Sequence, residues 1–298
     1  MRPALAVKID NHTDARPQVG LDRADVVYEE PVEGGITRFI AIFQSRDASK
    51  VGPIRSARLT DIDVLAQYGK PLLAFSGAAH YVVRAVGRAN LVSMRQGQFP
   101  SVYRRDGSRA APHNLFSSTS GLWRVGARAH PTPAPALFDF GPLLEPPPVA
   151  PSPSPSPTVT PTPAWPKGSM ATIPFAGSAW RAVWRWNSAS GTYRRWHGSV
   201  PHRAASGIQI SAANVIVMRV TTSRNNSQAA AHGTPELKLV GSGVMVLLRN
   251  GVRIVGRWTR SSLTSPTRFV DKLGRPLTLA PGNTWIELAP TRIVPKYA

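Results

Sequence analysis

Cysteine is absent from the 298 residues. That excludes disulfides, thiolate nucleophiles and the cysteine-based zinc and iron–sulfur sites. No run of about eighteen apolar residues occurs, so no stretch has the length and apolarity of a membrane-spanning helix. Also missing are a Gly-x-Ser-x-Gly nucleophile elbow, a phosphate loop and a dinucleotide fingerprint. A serine hydrolase of that type is disfavoured, and no cofactor is expected. Met1 leads through Arg2 and Pro3 straight into a strand-like run, which leaves no room for a signal peptide. The expectation is either a cytoplasmic protein or an extracytoplasmic one whose targeting segment lies upstream of this sequence.

Acidic residues are scarce: 16 Asp and Glu stand against 36 Lys and Arg, a formal charge of +20. The imbalance is uneven, at +7 over residues 1–130, −2 over 131–164 and +15 over 165–298. A strongly basic C-terminal half predicts an anionic neighbour, such as a phosphate-rich cell-wall polymer or an anionic membrane surface. Nucleic acid is the less favoured partner. Adjacent arginines occur only at 104–105 and 194–195, and no zinc-finger or RNP pattern is present. Oligomeric state is not legible.

Proline, by contrast, is abundant, and Ser-Pro and Thr-Pro alternate through 151–163. Such a tract lacks the backbone donors for helix or sheet and predicts an extended polyproline-type link. The chain therefore divides into an N-terminal α/β domain (1–130), a Pro/Ser/Thr-rich connector (131–168) and a basic, mostly antiparallel β domain (169–298). Together they give an α+β class. In the first part, strand-like runs at 4–9, 25–30, 37–43 and 71–75 alternate with helical spacing at 59–68, 79–89 and 120–129. In the last part, 183–186 and 192–196 form a hairpin, 214–221 and 284–288 are strands, and Asn250-Gly251 joins two more. The apolar island 136–144 has the pattern to dock as a strand. The tryptophans are expected mainly in the core.

Ten of the sixteen acids precede residue 64, which draws attention to residues 25–58. There Glu29, Glu30 and Glu33 flank Gly34-Gly35, followed by Arg38, Arg55 and Arg58. Glycines at that turn would hold Glu33 beside Arg38. Buried glutamates need cationic partners or become protonated. The candidate acid–base groups are thus Glu29, Glu30, Glu33, Asp10 and His113. The candidate ligand-binding groups are Asn11, Arg16, Arg38, Arg55, Arg58 and Asn114. Asp10-Asn11-His12 follows the first strand, where polar groups often line a crevice. Two readings stay open beside plain structural ion pairing. One is a binder of a polar or anionic ligand; the other is a hydrolase of wall glycan or peptide using one of these carboxylates. A metal held by Asp10, His12, Glu33 and His113 lacks a recognised spacing, so no metal site is expected.

The runs ALAVKIDNHTDARPQVGLDRADVVYEEPVEGGITRFIAIFQS, GPIRSAR and APHNLF are similar to the N-terminal domain of the YerB-like bacterial lipoprotein family. RWHGSVPHRAASGIQISAANVIVMRV, GVRIVGRWTR and PGNTWIEL resemble its C-terminal domain. The resemblance covers nearly all of the chain outside the connector and implies an exported, envelope-associated protein, usually anchored by a lipid on an N-terminal cysteine. It carries over no activity, because the family is one of unknown function. This sequence departs from the pattern in lacking that cysteine, in its longer proline-rich connector, and in Arg203 following His202 where the resemblance calls for an acid.

Overall fold

The computed structural model describes residues 2–129, 131–147, 164–177, 179–223 and 233–298. The Ser-Pro and Thr-Pro alternation at 151–163 lies outside the described residues. The first segment supplies β1 (Leu5–Asp10), β2 (Val26–Pro31), β3 (Thr37–Phe43), β4 (Leu72–Phe75) and β5 (Val92–Arg95), with α1 (Leu59–Leu65), α2 (His80–Arg88) and α3 (Thr119–Gly126). Two short strands, β6 (Arg104–Arg105) and β7 (Leu115–Phe116), pair beside them.

After the connector come β8 (Met170–Pro174), β9 (Arg181–Asn187), β10 (Thr192–His197), β11 (Val200–Pro201), β12 (Ser211–Ala212) and β13 (Asn214–Val220). Then follow β14 (Thr222–Ser223), β15 (Glu236–Leu237), β16 (Gly241–Arg249), β17 (Val252–Arg260), β18 (Arg268–Asp271), β19 (Thr284–Pro290) and β20 (Lys296–Tyr297).

Strands from both sides of the connector form one ten-stranded sheet, ordered β18-β17-β16-β13-β19-β2-β3-β1-β4-β5. The join is β19 on β2, parallel, with Thr284 opposite Val26 and Glu287 opposite Glu29. The change of composition at the connector is therefore not a break in the sheet. The class is α+β, with a mixed sheet and few helices in the N-terminal part and largely antiparallel strands in the C-terminal part.

Every residue of β3 is buried, as expected of a central strand covered on both faces. One face carries Val7, Ile9, Phe39, Val217 and Trp285, and packs on the smaller antiparallel sheet β11-β10-β9-β8-β20 through Trp184 and Tyr193. The opposite face carries Ala6, Tyr28, Ile40 and Ile286, and packs on α1 and α2 through Val64, Leu65, Val82 and Val86. At roughly 25 cal/mol per Å² of apolar surface, these two layers supply the main driving force for folding. The apolar island docks by a single bridge, Phe140 to Leu279, with Leu137 buried, and not as a strand. Trp184, Trp285, Trp258 and Trp123 are buried.

Candidate functional site

Because β1 and β4 are parallel, their C-terminal ends meet at one edge of the sheet, the position where open α/β sheets offer a crevice. Residues 51–58 cross this edge. The amide of Asp10 donates to Pro53 O at 2.9 Å, Arg55 N to Lys8 O at 2.8 Å, and Ala57 N to Gly77 O at 2.9 Å. Only glycine passes at Gly52: its φ is +146°, and a Cβ would sit 2.7 Å from Leu115 O. The crossing segment thus holds residues 55–58 between the ends of β1 and β4.

Here Asp10, almost fully buried, accepts hydrogen bonds from His113 and His12 and forms an ion pair with Arg55. His113 Nδ1 lies 2.8 Å from its Oδ2, Arg55 Nε lies 2.9 Å from the same oxygen, and His12 N donates to Oδ1 at 3.0 Å. Opposite Asp10 in the β1–β3 register stands Arg38. Its guanidinium donates to Ser56 O at 2.9 Å, and Arg58 donates to that same oxygen at 3.2 Å. Two guanidiniums thus crowd one carbonyl acceptor, and the buried Arg38 Nε has no hydrogen-bond partner among the described residues. Burial first, then the charges of Arg58 and Arg55, push the Arg38 guanidinium down to about 10.

Gly34 and Gly35, at φ +67° and +74°, turn the chain so that Glu33 reaches this edge. Its ion-pair partner is Arg58, not the expected Arg38, which is committed to the Ser56 carbonyl. Burial opposes ionisation of Glu33, but hydrogen bonds from Arg58 and Thr234 outweigh it and hold the carboxyl down at about 2. A cavity of about 210 Å³ opens beside the pair, lined by Glu33, Ser56, Arg58, Ala79, Tyr81 and Val82.

Glu29 and Glu30 go elsewhere. Consecutive strand residues face opposite sides, so the three glutamates share no cavity. Glu30 and Asp61 enclose the ammonium of Lys8 in the layer beneath α1, all three fully buried. Glu29, on the other face, accepts from Thr37 Oγ1 at 2.6 Å, Asn11 Nδ2 at 3.4 Å and Arg195 at 2.5 Å. Asn11 also accepts from Arg16 Nε at 3.3 Å. Arg16 borders a separate cavity of about 500 Å³ with His197 and His202; burial, then Arg195, lowers its guanidinium to about 10. Asn114 ties down the loop that presents His113, accepting from Arg105 at 2.7 Å and donating to Arg109 O at 3.3 Å.

Several participants escaped the sequence reading. Lys8 interrupts the apolar run LAVKID, and a lysine there requires a buried acid. In TYRRWH, alternation puts Tyr193, Arg195 and His197 on one buried face. Glu287 gave no local signal, because its neighbour Glu29 is set by the β19–β2 register. Burial, then the adjacent Glu29 charge, pushes Glu287 well above the usual carboxylate range. Burial and Arg195 push His197 and His202 well below the usual imidazole range.

These shifts set opposing pH slopes. Burial pushes Glu30 up to about 7 against a reference of 4.5, so its contribution is full below the unfolded value and is lost as pH rises through 7. The two depressed histidines act oppositely, costing stability as pH falls below about 6.5. Replacing Glu30 by the isosteric, neutral Gln should flatten the decline between pH 4.5 and 7. The limit is about 1.4 kcal/mol per pH unit for one proton. Urea denaturation across that range checks it, and an unchanged slope would refute the assignment.

Residues 1–132 match the N-terminal domain, and residues 171–286 the C-terminal domain, of a protein family of unknown function, DUF3048. The chain belongs to the DUF3048 family. Among its relatives is "Putative lipoprotein YerB" of Bacillus subtilis strain 168, 58% identical over 57 residues. That match spans 19% of this chain and only 17% of the relative's length. The crystal structure of Bacillus subtilis YerB superposes with a TM-score of 0.79 over 99% of this chain and 94% of that one, at 21% identity. At that identity the likeness establishes a shared fold. None of the described helices is long and apolar enough to cross a membrane.

Proposed function

We propose that this DUF3048 member works at the cell envelope and binds a polar, anionic ligand at the edge formed by Asp10, Arg38, Arg55 and Arg58. The observation that carries the reading is the crowding of Arg38 and Arg58 on the single Ser56 carbonyl, with Arg38 Nε left unpartnered. Three guanidiniums face two carboxylates, Asp10 and Glu33, so the edge holds more donors than acceptors. Guanidiniums supply paired donors suited to phosphate or carboxylate. The envelope part of the reading is supported by the name carried by the Bacillus subtilis relative and by the +15 charge of residues 165–298. That charge suits contact with an anionic wall polymer or membrane surface.

Calorimetric titration with inorganic phosphate, glycerol phosphate, a glycerol phosphate polymer and anionic vesicles, over a salt series, tests it. Substituting Arg38→Gln or Arg58→Gln should weaken phosphate binding about 10- to 100-fold, the worth of a charge-assisted hydrogen bond. The exposed pair Arg257→Gln and Arg268→Gln should leave it unchanged. Equal losses from both sets would reduce the effect to diffuse charge.

The Asp10–His113 pair favours a second reading, acid–base chemistry on the bound ligand. An imidazole oriented by a carboxylate is a standard proton carrier, and turnover abolished by His113→Gln with ligand binding retained would establish it. A hydrolase built on Glu29 or Glu30 has less support, because both are sealed inside the two packed layers.

A further inference from the structure

The loop after β1 and the loop that presents His113 bring together a group of side chains that the anion-binding reading does not use. His12, Asp14 and His113 each place one donor atom so that all lie within 4.8 Å of one another. The two imidazoles stack with ring centroids 4.8 Å apart and planes inclined by 17°. His12 Nδ1 lies 3.5 Å from Asp14 Oδ2. Of the four residues whose sequence spacing gave no ground to expect a metal, Glu33 is committed to Arg58, and Asp10 is committed to Arg55 and His113.

The geometry points to an open site for one divalent transition-metal ion, zinc being the best match, with His12, Asp14 and His113 as ligands and Asp10 as the outer carboxylate. Asp10 engages His113 through Nδ1 at 2.8 Å, which leaves the Nε2 lone pair for a metal. A carboxylate behind a ligating imidazole is the usual means of fixing its tautomer and orientation. Two imidazoles and one carboxylate suit zinc-like ions and leave a position for water. Accessibility matches, since the His12 and Asp14 side chains are 35% and 66% exposed while Asp10 is only 1% exposed. Stacked rings cannot both aim at one ion, so binding requires the more exposed His12 ring to turn out of the stack. That movement gives up a 3.3 Å hydrogen bond from Asp14 N, the stack on His113 and a tilted contact with Trp180.

The experiment uses the full chain without a histidine tag, stripped with chelator and free of phosphate, so that its outcome is separate from anion binding. Co²⁺ is titrated and followed by its visible ligand-field absorption, with Zn²⁺ as competitor. One Co²⁺ per chain, displaced by Zn²⁺, is expected. His12→Gln and His113→Gln should each weaken binding by at least about tenfold, and Asp10→Asn by about 10- to 100-fold. His80→Gln, at a histidine that is not a member of the group and is bonded to Arg84, should bind as the wild type does. Circular dichroism of each variant separates loss of ligand from loss of fold, and the half-exposed His12 decides if His113→Gln disturbs its loop. Absence of the absorption, or binding that survives both histidine substitutions, would overturn the proposal.

Discussion

Replacing Arg195 by Met should cost about 3–5 kcal/mol of folding stability, because it strands a buried anion. Arg195 is fully buried and donates to Glu29 at 2.5 Å and to His202 Nδ1 at 2.8 Å. Its guanidinium carbon also lies 5.2 Å from the ring centre of Trp285 and 5.4 Å from that of Phe39, a cation–π setting that methionine only partly replaces. Without Arg195, Glu29 would keep its hydrogen bonds from Thr37 and Asn11 but lose its cation, with Glu287 alongside. Adding Glu29→Gln should recover part of the loss, since a neutral amide needs no counter-charge. Urea midpoints of the two single variants and the double variant measure this. A loss below about 1 kcal/mol would place the pair among ordinary exposed salt bridges. The substitution also probes architecture, because Arg195 belongs to the C-terminal half and Glu29 to the N-terminal half. Unfolding should remain one transition; separate melting of residues 1–130 and 165–298 would contradict the continuous sheet.

A comparable loss, again about 3–5 kcal/mol, is expected for Lys8→Met at neutral pH. The ammonium lies 2.6 Å from Asp61 Oδ1 and also contacts Glu30, in a region with no water-accessible surface. Removing it leaves two carboxyl groups facing one another. Protonation relieves that strain, so the deficit should shrink as pH falls from 8 to about 5. A deficit independent of pH would mean that methionine fails for reasons of packing alone. Asp61 Oδ2 also accepts from Arg58 N at 2.7 Å at the start of α1. Damage at Lys8 is therefore expected to loosen the segment that carries Arg55 and Arg58, weakening the candidate anion site from below.

Local pattern made much of this fold legible. Thr37–Phe43 reads as a strand because it is rich in β-formers and follows the turn glycines 34 and 35, and Asn250-Gly251 turns β16 into β17. The partnership of β2 with β19 was not legible. It joins residues some 260 apart, and nothing in either strand specifies the other. The same limit governed the site. Asp10, His113, Arg38, Arg55 and Arg58 do meet, over separations reaching 103 residues between Asp10 and His113. Glu29 and Glu30 part company for a reason already present in the sequence: adjacent positions of one strand face opposite layers. Lys8, alone in an apolar run, and the inward set Tyr193, Arg195 and His197 were signals of buried ionic networks.

A crystal of the full chain soaked in phosphate decides most directly whether the sheet edge is an anion site. The expected density lies within hydrogen-bonding reach of Arg38, Arg55 and Arg58, beside the Glu33 turn. Phosphate found only on the exposed arginines of the C-terminal strands, with this edge left to solvent, would contradict the reading.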